Sequence, residues 1–193
     1  MADSKTAMHI INLQQLQNEF STEVFNRINE GIDDIFFKTS GKNFSCETER
    51  KDFIGRWLEP YRNYYPQFFL VAVNWELKQV VGYLSGLLDS DDFYRRFPVA
   101  AGLCFAQEFK LYPAHFHINC RPEYQGQGVG AKLIASFVEL LDKHAIGGVH
   151  VVTVKEARNV HFYQKNKFTY QVEAKCSDKV LLFLGKKLDL NHM

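Results

Sequence analysis

The residues from His115 to Ala131 carry the clearest chemistry in the chain. They read His115-Phe116-His117-Ile118-Asn119-Cys120, then Arg121-Pro122-Glu123-Tyr124, then Gln125-Gly126-Gln127-Gly128-Val129-Gly130-Ala131. Three glycines at alternate positions leave backbone N–H groups open to a close visitor. Leu133, Ile134, Phe137, Val138, Leu140 and Leu141 then recur at helical spacing. A glycine-rich turn feeding a helix N-terminus is an anion site. The first helical N–H groups have no internal partner, and the helix dipole adds partial positive charge there. A phosphate or pyrophosphate is the natural guest. A loop that merely turns the chain has the same composition, but the strand before it and the long helix after it favour the binding reading.

His115, His117 and Asn119 alternate along their strand and so fall on one face of it. Imidazole titrates near neutrality, which suits His117 to the work of a base or substrate ligand. The plainer reading is a hydrogen-bonded histidine inside a sheet. Two histidines without a further nearby ligand rarely hold a metal, so none is expected. Glu123 reads as a solvated turn residue. Asp89, Asp91 and Asp92 are explained by a helix cap and an exposed turn.

The elements that must position these groups follow from patterning. Met8 to Leu13 reads as a first strand, and Gln14 to Gly31 as a helix that stops at its glycine. Thr48 to Leu58 reads as a second amphipathic helix. Phe68 to Val73 and Gln79 to Leu87 read as an antiparallel hairpin. Asp89 or Ser90 caps a short helix that Pro98 interrupts, which makes Asp89 to Phe109 an insertion. Pro122 closes the fourth strand, since it has no amide hydrogen and holds Arg121 away from helical angles. A helix from Ala131 to His144 follows, then a fifth strand at Val149 to Val154. A helix from about Ala157 to Asn166 precedes a last hairpin at Phe168 to Ala174 and Lys179 to Leu184.

Two familiar phosphate sites fit poorly. No Gly-x-x-x-x-Gly-Lys-Ser/Thr string exists. Gly126-x-Gly128-x-x-Ala131 matches a loose dinucleotide fingerprint, with Glu156 after the next strand. However, Arg121 to Gln125 intervene after the strand, and the chain left beyond Glu156 is too short for further βα units.

The pattern Gln125-x-x-Gly128-x-Gly130 instead resembles the acyl-CoA signature of the GNAT superfamily of CoA-dependent N-acetyltransferases. Arg158-Asn159-Val160-His161-Phe162-Tyr163-Gln164-Lys165-Asn166-Lys167-Phe168 looks like that family's fourth-helix motif. The resemblance is close over about the last eighty residues and looser before them. Trp57 to Phe69, with Tyr61, Tyr64, Tyr65 and Pro66, together with Tyr112-Pro113-Ala114-His115-x-His117, bears a weaker resemblance to the branch containing the acetyltransferase-like domain of O-GlcNAc hydrolases.

The resemblance implies an α/β (α+β) fold. It would be a mixed, mostly antiparallel sheet of six to seven strands flanked by about four helices, with a helical insertion before the fourth strand. It also implies acetyl-CoA as cosubstrate, bound by Gln125, Gly126, Gln127, Gly128, Val129, Gly130 and Ala131. The backbone of Asn119 and Cys120 would pair with the pantetheine arm. The implied activity is acetyl transfer to an amine of a small molecule or peptide by direct attack in a ternary complex. Tyr163 matches the residue that protonates the departing thiolate. A catalytically inactive binding module of the same fold is the alternative. Three departures bear on the fourth helix: Glu156 stands where many relatives have asparagine, Asn159 replaces a small alanine, and Lys167 replaces glycine. Lys165 or Lys167 can still reach CoA phosphates electrostatically.

Composition agrees. The 193 residues suit one domain, 1–193, with a sizeable core, and 46% hydrophobic residues exclude a disordered chain. A net charge of +1 gives no reason to expect nucleic acid or an anionic membrane. Cys46, Cys104, Cys120 and Cys176 form no CxxC pair, which fits reduced thiols. Met1 to Ile10 has no hydrophobic signal core and no apolar run is long enough to span a membrane, so the cytoplasm is expected. A monomer or homodimer is expected.

Overall fold

The computed structural model describes residues 8–189. Reading Met1 to Ile10 for a targeting segment falls mostly outside them. Seven strands form one mixed sheet: β1 (Met8–Asn12), β2 (Phe69–Asn74), β3 (Gln79–Leu87), β4 (Ala114–Cys120), β5 (Gly148–Val154), β6 (Tyr170–Cys176) and β7 (Lys179–Lys187). Their order is β1-β2-β3-β4-β5-β7-β6. The β4–β5 pair is parallel, and β1–β2, β2–β3, β5–β7 and β6–β7 are antiparallel. The expected sheet is the one observed.

Helices are more numerous than the expected four or so. Among the described residues there are eight α-helices: α1 (Leu13–Glu19), α2 (Thr22–Thr39), α3 (Glu47–Trp57), α4 (Glu59–Tyr64), α5 (Ser90–Arg96), α6 (Ala100–Leu103), α7 (Val129–Lys143) and α8 (Asn159–Lys165). Caps account for much of the difference. The single helix expected from Gln14 to Gly31 is two, because Asn12 and Gln15 form a capping box for α1 and the Ser21 hydroxyl caps α2. Gly31 does not end α2. It lies inside the helix, where an added Cβ would stand 2.9 Å from Val80 Cγ2, so glycine there admits close packing on β3. The buried Ile28, Ile32, Ile35 and Phe36 carry the helix on to Thr39. The expected insertion is helical: Asp89 caps α5 by accepting the Asp92 amide at 3.0 Å, α6 follows, and a 3-10 turn runs Ala106–Lys110.

The chain divides into two compact units. The first comprises the chain up to Ser85 with Ile118–Phe137. It holds β1, β2, most of β3, the end of β4 and the start of α7, with α1 to α4. Its core is built on Leu13, Leu16, Ile32, Ile35, Phe69, Val71 and Tyr83. The second comprises Gly86–His117 with the chain from Val138 on. It holds the insertion, the start of β4, β5, α8 and the β6–β7 hairpin, around Phe93, Phe116, Val149, Phe168, Phe183 and Leu184. No helix among the described residues is long and apolar enough to cross a membrane.

In the second unit, β5 starts under a tight constraint. A Cβ built on Gly148 would lie 2.2 Å from the Leu111 carbonyl oxygen and 3.0 Å from the Tyr112 ring. A backbone oxygen cannot swing aside as a side chain does, so the strand entry must shift. Gly148→Ala is therefore expected to destabilise the protein by about 2 kcal/mol, as overpacking does. Urea denaturation checks it, and an unchanged midpoint would contradict the packing described.

Candidate active site

The first unit holds the glycine-rich loop. A 3-10 turn at Pro122–Tyr124 leaves β4, and α7 starts at Val129, one residue before the glycine run ends. Gly126 and Gly128 have φ of +76° and +82°, in the left-handed region that costs a residue with a Cβ about 1–2 kcal/mol. A Cβ at either glycine would meet nothing within 4 Å. These glycines are thus required by backbone angle, not by crowding within the loop. The first bond of the α7 ladder runs from the Lys132 amide to the Gly128 carbonyl at 3.0 Å. The amides of Val129, Gly130 and Ala131 therefore lie ahead of the ladder, where a helix has donors to spare. Both glutamine side chains turn back on the loop: Gln125 Nε2 donates to the Cys120 carbonyl at 3.2 Å and Gln127 Nε2 to the Glu123 carbonyl at 2.7 Å. Both side chains are thereby held within the loop.

The end of β4 is anchored in the same unit. Asn119 Nδ2 donates to the Tyr83 hydroxyl at 2.9 Å, and the Thr39 hydroxyl lies 3.0 Å from Asn119 Oδ1. These contacts fix the Asn119 side chain against β3 and α2. Burial pushes the Cys120 thiol up to about 11, which keeps it protonated and a poor nucleophile. Gly82 lets β3 approach, since a Cβ there would meet Cys120 Sγ at 3.0 Å and the Asn119 carbonyl at 3.1 Å.

The second unit holds Tyr163, His115 and His117. Tyr163, on α8, is buried, with its ring 6.3 Å from Phe116, 5.8 Å from Phe168 and 5.3 Å from Phe162. Three rings fix its direction. The helix then ends in a Schellman motif: the Phe168 amide bonds the Tyr163 carbonyl at 3.1 Å and the Lys167 amide bonds the Gln164 carbonyl at 3.0 Å. Lys167 takes φ +70° at the position where glycine is usual, so this departure strains the backbone without breaking the cap. Asn159 accepts a hydrogen bond from the Thr153 hydroxyl at 3.0 Å and ties the helix to β5. Glu156, Lys165 and Lys167 are exposed.

His115 belongs to a buried cluster with His150, which the sequence pattern does not single out, and His117 flanks it half-buried. Ser90 donates its hydroxyl hydrogen to the Pro113 carbonyl, so its oxygen accepts from His115 Nδ1 at 2.7 Å. His150 Nδ1 donates to the Tyr112 carbonyl at 2.7 Å, and its ring lies 4.5 Å from that of Phe183 and 5.2 Å from that of Phe109. His115 stacks on Tyr94 at 5.1 Å and lies 5.4 Å from His150 and 6.0 Å from His117. Burial lowers all three pKa values: His115 well below its ordinary value, His117 to about 4 and His150 to about 3. These imidazoles are neutral at pH 7. A group with so low a pKa is a weak proton acceptor, and His117 suits hydrogen bonding better than proton removal. Among the described residues, no three His, Cys, Asp or Glu side chains converge as metal ligands.

The family of acetyltransferase (GNAT) domains matches residues 66–170. No curated protein sequence matches the chain. Among solved structures, one titled SsHAT is 20% identical, with a TM-score of 0.67, covering 93% of this chain and 98% of its own. The PaiA N-acetyltransferase of Thermoplasma acidophilum, in complex with coenzyme A, is 14% identical with a TM-score of 0.58, covering 94% and 99%. A chain of the NatC complex, bound to Gag peptide and CoA, is 12% identical with a TM-score of 0.60, also covering 94% and 99%. At such identities the likeness is one of fold.

The histidine cluster makes stability acid-sensitive. Below about pH 6.5 the unfolded chain protonates these histidines while the folded chain does not, so stability falls as pH falls toward 4. Each fully buried imidazole is expected to contribute about 1.4 kcal/mol per pH unit in that window. Urea denaturation between pH 7 and pH 4.5 measures the slope, and His150→Gln should reduce it. A stability independent of pH in that range would contradict neutral buried histidines.

Proposed function

The chain belongs to the GNAT acetyltransferase family, and from that premise we propose that it transfers an acetyl group from acetyl-CoA to an amine of a small molecule or peptide. The observation that carries the reading is the loop. Gly126 and Gly128 adopt left-handed angles, with open space where side chains would stand, immediately before the unpaired amides of α7. Those amides and the helix dipole suit the pyrophosphate of CoA. Gln125, Gly126, Gln127, Gly128, Val129, Gly130 and Ala131 contribute through the main chain. PaiA, of the same fold, is in complex with coenzyme A, and the NatC complex is bound to CoA.

The β4–β5 ladder covers Ala114↔Val149 and His115↔His150 and does not continue to Phe116 or His117. The main chain of β4 beyond that point, with Asn119 and Cys120, suits an extended pantetheine arm, and their dipoles would polarise the thioester carbonyl. The amine nitrogen attacks that carbonyl carbon directly. The carbon–sulfur bond breaks, and sulfur leaves as thiolate. Tyr163 donates its hydroxyl proton to the sulfur. The nitrogen loses its extra proton to solvent, and a neutral His117 hydrogen-bonds the acceptor. Direct transfer accords with a Cys120 thiol that burial holds protonated. That β4 and α7 each run from one unit into the other supports treating 1–193 as one domain.

Tyr163→Phe tests the chemistry. It removes one hydroxyl and keeps the ring among Phe116, Phe162 and Phe168. Single-turnover transfer to the best substrate from an amine panel should fall about a hundredfold while acetyl-CoA affinity holds. A variant as fast as wild type would return Tyr163 to the core. A wild type that binds acetyl-CoA and acetylates no amine would favour the inactive binding module.

A further inference from the structure

Arg121 is the first residue of the glycine loop, and it is 9% exposed. A guanidinium so placed is costly unless it is well paired, and an apolar residue would close the strand end as well. Its pairing is directional. Nε donates to the Val80 carbonyl at 2.7 Å, and the main-chain amide of the same residue donates to the Val81 carbonyl at 2.9 Å. One residue thus grips two successive carbonyls of β3. Nη1 lies 2.8 Å from Asp34 Oδ2 on α2, and Asp34 also pairs with Lys38 at 2.9 Å.

The grip extends along the turn. The Arg121 carbonyl accepts the Tyr124 amide at 2.9 Å, and the Tyr124 hydroxyl donates to Gln79 Oε1 at 3.2 Å. Residues 121 and 124 are therefore tied to β3 at 79, 80 and 81. Residues 125–128, which follow directly, are exposed and make no such ties to β3. The loop's free part begins where its fixed part ends, and Arg121 holds the fixed part.

We propose that Arg121 is a positioning residue for the anion-binding loop, holding its base against β3 and α2 so that the amides of 126–131 are set before a pyrophosphate arrives. The proposal rests on the acetyl-CoA reading above and adds the residue on which the loop's geometry depends. Arg121 acts through the loop and touches no ligand. Amides already in place bind an anion without the entropy cost of ordering the turn, so loosening the base weakens that one contact.

A merely structural arginine and a positioning one differ in which ligand suffers. CoA carries the pyrophosphate and pantetheine does not. Wild type, Arg121→Gln and Asp34→Asn are titrated with CoA by calorimetry and with pantetheine by competition against CoA. Both substitutions should raise the CoA Kd about tenfold, and the pantetheine Kd by less than about twofold. Asp34→Asn keeps Arg121 in the chain and cuts its ion pair, so it decides the matter if Arg121→Gln does not fold. Equal losses for both ligands would make Arg121 a core residue and overturn the proposal. An unchanged CoA Kd would overturn it too. If the wild type binds neither ligand, the acetyl-CoA reading itself falls and takes the proposal with it.

Discussion

A helix cannot satisfy the amides of its own first turn, and at α7 the chain keeps that deficit facing outward. Side chains fill the role for α1 (Asn12), α2 (Ser21) and α5 (Asp89), and none does for α3, α4, α6 or α8. Ahead of α7 stand Gly126 and Gly128, with open space where a Cβ would be, while the loop's two glutamine side chains are turned back on carbonyls. The unmet donors are thus the product of local sequence. Much of the surrounding first unit bears on them: β3 approaches through Gly82, Asn119 is fastened by Tyr83 and Thr39, and Arg121 bolts the turn to β3 and α2.

The second unit meets a different demand, which is to bury histidines without charging them. Ser90 and the Tyr112 carbonyl take the Nδ1 hydrogens of His115 and His150, and aromatic rings stack on both imidazoles. The insertion supplies Ser90, Phe93, Tyr94 and Phe109 to this cluster. It therefore serves as core for the start of β4. Tyr163 sits in its own aromatic setting with Phe116 and Phe168, so a hydroxyl is held on a ring that packing alone would justify.

The sheet, the glycine loop and the α8 motif were legible because their signals are local. Alternation marks β4, and spaced glycines before an amphipathic run mark the turn into α7. What escaped depends on partners far along the chain. Arg121 looks like an ordinary residue before proline, and its partners Asp34 and Val80 lie 87 and 41 positions away. Gly31 reads as a stop by composition and is instead a packing site for Val80. The count of helices was low because the break at Ser21 rests on a cap within an otherwise continuous pattern, and because α4 follows directly where α3 was expected to end. His150 lies in an apolar strand, where sequence alone gives no reason to connect it with His115.

The account turns on whether the turn before α7 holds an anion, and one comparison tests this directly. Acetyl-CoA binding is measured by calorimetry for wild type, Gly128→Ala and Gly128→Glu. Both substitutions strain a left-handed position, but only glutamate sets a carboxylate where the pyrophosphate would lie. The account predicts saturable binding by wild type, weaker binding by the alanine variant and none by the glutamate variant, with far-ultraviolet circular dichroism preserved in all three. Acetyl-CoA bound equally well by Gly128→Glu and wild type would contradict it.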